Sequence, residues 1–153
     1  MARTDARRIA GLAVAVLATG ALAAALYLAP HGSAGPVEVP LDRVACARCG
    51  MLVSEIGFAG QLRTRSGEVR FYDDPGCLLL DAEEHADDPS AVWFHAHDAE
   101  RWLSAAEVGF ERTEPTPMGY GLAARAAGEG RLDRAAALAH ARAREAARLS
   151  ERP

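Results

Sequence analysis

The chain reads as an α+β protein, and three stretches predict that class. Phe58, Gly60, Leu62 and Thr64 occupy alternate positions across residues 57–64, which is the period of a strand; Val69-Arg70-Phe71-Tyr72 follows after the turn Arg65-Ser66-Gly67-Glu68 and completes a hairpin. Asp73-Asp74-Pro75 is a helix start, with Asp74 as N-cap and Pro75 in the first helical position. Residues 91–97 alternate again, with Val92, Phe94 and Ala96 on one face and Trp93, His95 and His97 on the other. The first half is therefore strand, strand, helix, strand. The second half reads as a reduced copy of that pattern. The expected fold is two related strand-strand-helix-strand units, the second incomplete, behind an N-terminal transmembrane helix.

Each element has its own reason. Residues 1–8 carry Arg3, Arg7 and Arg8, and Ile9 to Ala29 then run without a charge, long enough for a helix to span a bilayer. Arginines on the N-terminal side predict that end in the cytoplasm and the remainder outside, on an inner membrane with its soluble domain in the periplasm. A cleaved signal peptide is the rival reading, with Gly32-Ser33-Ala34 as its cleavage site. Cys46 lies too far beyond the apolar run for lipidation. Residues 30–41 form a linker punctuated by Pro30, Gly32, Gly35, Pro36 and Pro40, and the folded domain is expected over 42–124, beginning near Asp42. The helix opened by Pro75 runs to about His85, where Asp87-Asp88-Pro89 stops it. Trp102 and Leu103 begin the second half. A strand over Glu107 to Arg112, a loop from Thr113 to Gly121 and a short strand from Leu122 to Arg125 come next. Residues 125–153 form an Arg- and Ala-rich tail in which Arg131 to Leu149 reads as a helix, because both residue types favour helices and no breaker intervenes. Its apolar face is thin, with Leu132, Leu138 and Leu149 poorly phased, so loose packing is expected.

All 17 basic residues are Arg. They are dispersed, without the basic stripe a nucleic-acid footprint needs. Residues 30–124 hold 16 acids against 7 Arg, and the tail reverses that sign with 7 Arg against 4 acids. The acidic domain reads as a solvated surface. No Ser-His-Asp set, phosphate loop or pair of catalytic carboxylates is present in the pattern, so nothing makes a positive case for an enzyme.

The chemistry concentrates at Cys46-Ala47-Arg48-Cys49-Gly50-Met51, two thiols and a thioether within six residues. Structural zinc needs four ligands, and the one remaining cysteine, Cys77, is read as buried packing in its helix. Covalent haem attachment needs His where Gly50 stands. A thiol-disulfide pair using Cys46 and Cys49 stays open, although such a pair normally opens a helix after a strand. A soft-metal site also stays open, since thiolates and thioethers select copper(I) over harder cations. Gly50 gives the backbone freedom to turn both neighbouring sulfurs inward. Met118, held between Pro117 and Gly119, is the other methionine beyond the initiator and tilts the reading to copper(I). His95 and His97 could ligate a metal, but a solvent-facing pair is the expected reading. Glu83, Glu84, Asp87 and Asp88 read as a solvated helix end.

Four segments occur in one order: Cys46 to Met51; Phe71-Tyr72-Asp73-Asp74 leading into Cys77-Leu78-Leu79; His97-Asp98 before Trp102-Leu103-Ser104-Ala105; and Thr116-Pro117-Met118-Gly119-Tyr120-Gly121. This order resembles that of NosL-type proteins, copper chaperones for maturation of nitrous oxide reductase, over roughly residues 42–124. The resemblance implies an extracytoplasmic Cu(I)-binding protein of denitrification that delivers metal to the reductase alongside a membrane ABC-type maturation complex. It implies metal ligands from Cys49, Met51 and Met118, with Cys46 a further candidate. The chain departs from the family in using an apparent membrane anchor where lipidation is common, and in ending without a strand after its last helix.

Overall fold

A computed structural model of the chain describes residues 35–86 and 88–151. The predicted cytoplasmic N-terminus and transmembrane segment lie outside the described residues. Among the described residues no helix is long and apolar enough to cross a membrane.

The first half contains the predicted strand-strand-helix-strand order. Strands β1 (Gly60–Thr64) and β2 (Val69–Tyr72) pair antiparallel, from Gly60 opposite Tyr72 to Arg63 opposite Val69. Gly67 takes φ 92° in the turn between them, a region L-residues avoid. The strand starts later than the predicted Gly57 because Ile56–Phe58 is a 3₁₀ turn. There the Phe58 and Ala59 N–H groups bond locally to the Glu55 and Ile56 carbonyls instead of joining a ladder. Helix α1 (Pro75–Glu84) begins as expected: Asp74 Oδ1 accepts the Gly76 N–H at 2.8 Å. Strand β3 (Pro89–His95) pairs with β1, and β4 (Trp102–Ser104) pairs with β3, giving the antiparallel order β2-β1-β3-β4. Strand β3 stops short of the predicted His97. The Ala96 N–H turns to the Arg101 carbonyl and the His97 N–H to the Ala124 carbonyl, so the chain leaves one sheet for the next.

The second half is a two-stranded antiparallel ribbon of β5 (Val108–Arg112) and β6 (Leu122–Ala126), followed by helix α2 (Arg134–Ser150). No strand follows α2 among the described residues, and β4 belongs to the first sheet. The ribbon joins the sheet through the core, where Phe94 of β3 meets Phe110 of β5 edge-on with centroids 5.1 Å apart. Leu62, Leu78, Leu103 and Leu122 are fully buried around them, each such side chain contributing roughly 1.5–3 kcal/mol. Helix α1 is buried from Pro75 to Ala82, and β1 approaches it so closely that a Cβ at Gly60 would lie 2.5 Å from Leu78 Cδ2.

Helix α2 corrects the expectation of loose packing. Its contact face is mainly alanine: Ala137 and Ala141, four residues apart, are both fully buried, and the half-buried Leu138 packs beside them against the core. Its arginines dock the rest, with Arg142 paired to Glu83 and Arg144 to Glu114. Leu149 is left 61% exposed. At the other end of the chain, packing begins by Val37, ahead of Asp42. The Val37 N–H donates to Gln61 Oε1 at 2.9 Å and its carbonyl accepts from Gln61 Nε2. These bonds satisfy a fully buried amide. The described residues from Pro36 onward form one compact unit.

Candidate metal centre

Residues Cys46 to Met51 form a closed knuckle. The Cys46 N–H donates to the Met51 carbonyl at 2.7 Å, the Gly50 N–H donates to the Cys46 carbonyl at 3.0 Å, and a bridge joins Ala45 to Leu52. Gly50 closes the turn at φ 76°, a conformation that costs other L-residues about 1–2 kcal/mol. The knuckle is anchored to β2 by the Ala47 N–H, which donates to the Phe71 carbonyl.

The knuckle brings Cys46 and Cys49 to the first turn of α1, where Cys77 stands. The three sulfur atoms lie within 4.8 Å of one another, and all three cysteines are free. These three thiols can hold a metal ion; no histidine or carboxylate joins them among the described residues. Cys77 is fully buried, as the sequence reading expects, but its side chain is also the third member of this cluster. With Cys77 in reach the cluster supplies three thiols, one short of the four ligands that structural zinc takes.

The three thiols are electrostatically unlike. Cys46 is lowered from an ordinary 9.0 to about 5, first because the Cys77 thiol donates to its sulfur; backbone N–H groups of Cys49, Asp73 and Arg48 add to this against the cost of burial. The same hydrogen bond, with burial, pushes Cys77 up. Burial pushes Cys49 up, partly offset by the Met51 N–H. The shared hydrogen bond thus favours the thiolate form at Cys46 and the thiol form at Cys77.

Cys46 is 2% exposed and Cys77 fully buried, while Cys49 is half-buried and lines an open cleft of about 510 Å³. Met118 lines the same cleft, together with Tyr120, Glu84 and Arg148. The loop carrying Met118 is latched to the start of α1. Asp74 caps that helix with Oδ1 and accepts the Met118 N–H with Oδ2 at 3.1 Å. Tyr120 packs against Gly76 so tightly that a Cβ there would overlap the tyrosine side chain. Asp74 is fully buried, and burial raises its pKa against the opposing N–H donors.

Arg48, between the two knuckle cysteines, forms one wall of the cleft. It pairs with Glu84 of α1 at 2.7 Å and Glu145 of α2 at 3.1 Å. Arg148 Nη1 donates to the Met118 carbonyl at 2.8 Å, and Arg144 donates to the Gly119 carbonyl. The tail helix thus braces both sulfur-bearing loops.

The remaining predicted residues are placed differently. Met51 is 57% exposed and does not line the cleft; about Gly50 only Cys49 turns inward, while Met51 follows the knuckle strand outward before the buried Val53. His95 is buried, not solvent-facing. Its Nδ1 lies 2.9 Å from the Ala96 carbonyl and its ring meets Trp102 edge-on. His97 is exposed and packs on Phe58. Neither belongs to the sulfur cluster. No family model matches the chain, and no curated protein or solved structure matches it.

Proposed function

We propose that this chain is an extracytoplasmic copper(I) chaperone of the NosL type. It would bind Cu(I) through Cys46, Cys49 and Met118 and deliver it to a nitrous oxide reductase-like copper enzyme, in concert with an ABC-type maturation complex. The observation that supports this most is a thiol cluster whose half-buried member, Cys49, shares an open cleft with a thioether, Met118. Soft sulfur donors of this kind suit Cu(I). A buried thiolate supplies the charge that attracts the ion, and the cleft gives a partner's ligand access to Cys49. Met51, exposed beside the knuckle, is available for the first capture or final release of the ion. The membrane anchor and periplasmic location belong to this same reading.

The test is anaerobic Cu(I) titration of the full chain against a competing chelator, with the Cys49→Ser and the Met51→Ala plus Met118→Ala variants. Cys49→Ser should lose more affinity than the roughly 10–100-fold that removal of an outer-shell partner costs. Unchanged affinity in Cys49→Ser and in the methionine double variant would sink the copper reading. Zinc titration in parallel decides the metal: tetrahedral zinc needs a fourth donor beyond the three thiols, so Cu(I) should win the competition.

One observation favours a second reading, a thiol-disulfide oxidoreductase: Cys46 has the lowered pKa of a reactive thiol. Against it, Cys46 is nearly inaccessible, whereas an attacking thiolate must reach its substrate. Turnover of a disulfide substrate by the wild type, lost in Cys46→Ser, would favour this reading over the chaperone.

A further inference from the structure

We infer that the sulfur centre has two copper positions in series: an inner one bounded by Cys46, Cys49 and Cys77, and an outer one formed by Cys49 and Met118. This rests on the copper reading above and deepens it by making Cys77 a ligand and Cys49 the residue common to both positions.

Burial separates the positions. Cys46 and Cys77 are 2% and 0% exposed, so an ion held by all three thiols lies beneath the surface, beyond a partner's reach. Cys49 and Met118 both line the open cleft, so an ion between them is accessible. Charge separates them too. Three thiolates around a monovalent ion hold it by strong charge-assisted bonds, whereas one thiolate and a neutral thioether leave a weakly held, neutral unit. The two positions have a common foundation in Asp74. Its carboxylate caps the helix whose first turn carries Cys77, and it also accepts the Met118 N–H.

Transfer outward is ligand exchange, and copper remains Cu(I) throughout. The bonds to Cys46 and Cys77 break, the bond to Cys49 persists, and a bond to the Met118 thioether forms. One proton returns from solvent to restore the Cys77 S–H···Cys46 hydrogen bond. A partner's sulfur ligands entering the cleft then displace both the Met118 thioether and the Cys49 thiolate, and Cys49 takes up a proton from solvent.

The experiment loads the full chain anaerobically with one equivalent of Cu(I). X-ray absorption at the copper edge counts sulfur neighbours, and stopped-flow mixing with a coloured Cu(I) chelator gives affinity and removal rate. Wild type should show three sulfur neighbours. Cys77→Ser, with Cys77→Ala as a second variant and circular dichroism to confirm the fold of each, should lose about 100-fold in affinity, at the upper end of what even outer-shell losses cost. Met118→Leu should slow removal by about tenfold while changing affinity by less than that. Two sulfur neighbours in the wild type, wild-type affinity in both folded Cys77 variants, or an unchanged removal rate in Met118→Leu would each overturn the series arrangement. If Cys49→Ser abolishes binding while the Cys77 variants do not weaken it, the copper reading stands and the inner position falls. If wild type binds no Cu(I), the copper reading itself fails.

Discussion

The two sulfur-bearing loops differ in how far they are held from outside. The Cys46–Met51 knuckle is closed by its own backbone, through the Cys46-to-Met51 and Gly50-to-Cys46 bonds. The Thr113–Gly121 loop also has bonds of its own, from the Gly119 N–H to the Thr116 carbonyl, from the Gly121 N–H to Thr116 Oγ1 and from the Thr113 N–H to the Gly121 carbonyl. It is otherwise fastened from outside, by Asp74 of the α1 cap and by Arg144 and Arg148 of α2. The backbone at Cys46 and Cys49 is thus closed mainly by the knuckle itself, whereas Met118 is placed mainly by contacts with α1 and α2. Disturbing one loop should leave the other in place.

The largest effect is expected where the second loop meets α1. Gly76→Ala forces a methyl into Tyr120 and should cost about 1–3 kcal/mol or more, as overpacked cores do; a denaturant midpoint equal to wild type would show that Tyr120 yields freely. Next comes Asp74→Ala, which removes the helix cap, worth about 0.5–2 kcal/mol, and orphans the Met118 N–H. Thermal unfolding should show the loss, and slower copper removal should accompany it. Asp74→Asn, which keeps one acceptor oxygen for the Gly76 N–H but sets an NH2 against the Met118 N–H, should restore the cap without restoring the Met118 latch.

Gly50→Ala tests the opposite loop. The φ of 76° there makes about 1–2 kcal/mol the expected cost. Cu(I) affinity should fall while amide-exchange protection at Met118 stays as in wild type; lost protection at Met118 would mean the loops are not independent.

The pH dependence of the knuckle follows from Cys46, whose thiol is lowered from 9.0 to about 5. The folded state prefers the thiolate, so this contribution to stability is full above the ordinary thiol pKa and is lost as pH falls through about 5. Thiolate absorbance of the metal-free chain should show a transition near that pH, and Cys46→Ser should abolish it. The smallest effect belongs to the exposed Arg144–Glu114 pair: Glu114→Gln, which leaves the Arg144 bonds to the Gly119 carbonyl in place, should cost about 0.2–1 kcal/mol, read as a small fall in the urea midpoint.

Local signals made much of the fold legible. Asp74-Pro75 marked the start of α1, the alternation at Val69–Tyr72 marked β2, and the absence of breakers marked α2. The misses share a tertiary cause. Cys77 reads as helix packing because nothing in its own turn says that a loop some thirty residues upstream packs against it. His95 reads as exposed by alternation, yet β3 lies between β1 and β4 and is buried on both faces from Val92 onward. The tail reads as loosely packed when only its leucines are counted. Its contacts are made mainly by Ala137 and Ala141 and by arginines, whose acidic partners lie in distant segments. For the site, the cysteine motif and Met118 stood out by residue type, but no local spacing could bring Cys77 to them.

Arg48 carries a consequence for the order in which the molecule assembles. Its pairing with Glu145 spans 97 residues, and closing so long a loop is an entropic cost met only after local contacts have formed. The knuckle can take shape early, from a short stretch of chain. The cleft wall cannot, because it waits for α2 to arrive. Premature capture of metal by a half-folded chain would therefore find thiols without their enclosure, and the finished receptacle appears only once α2 has docked.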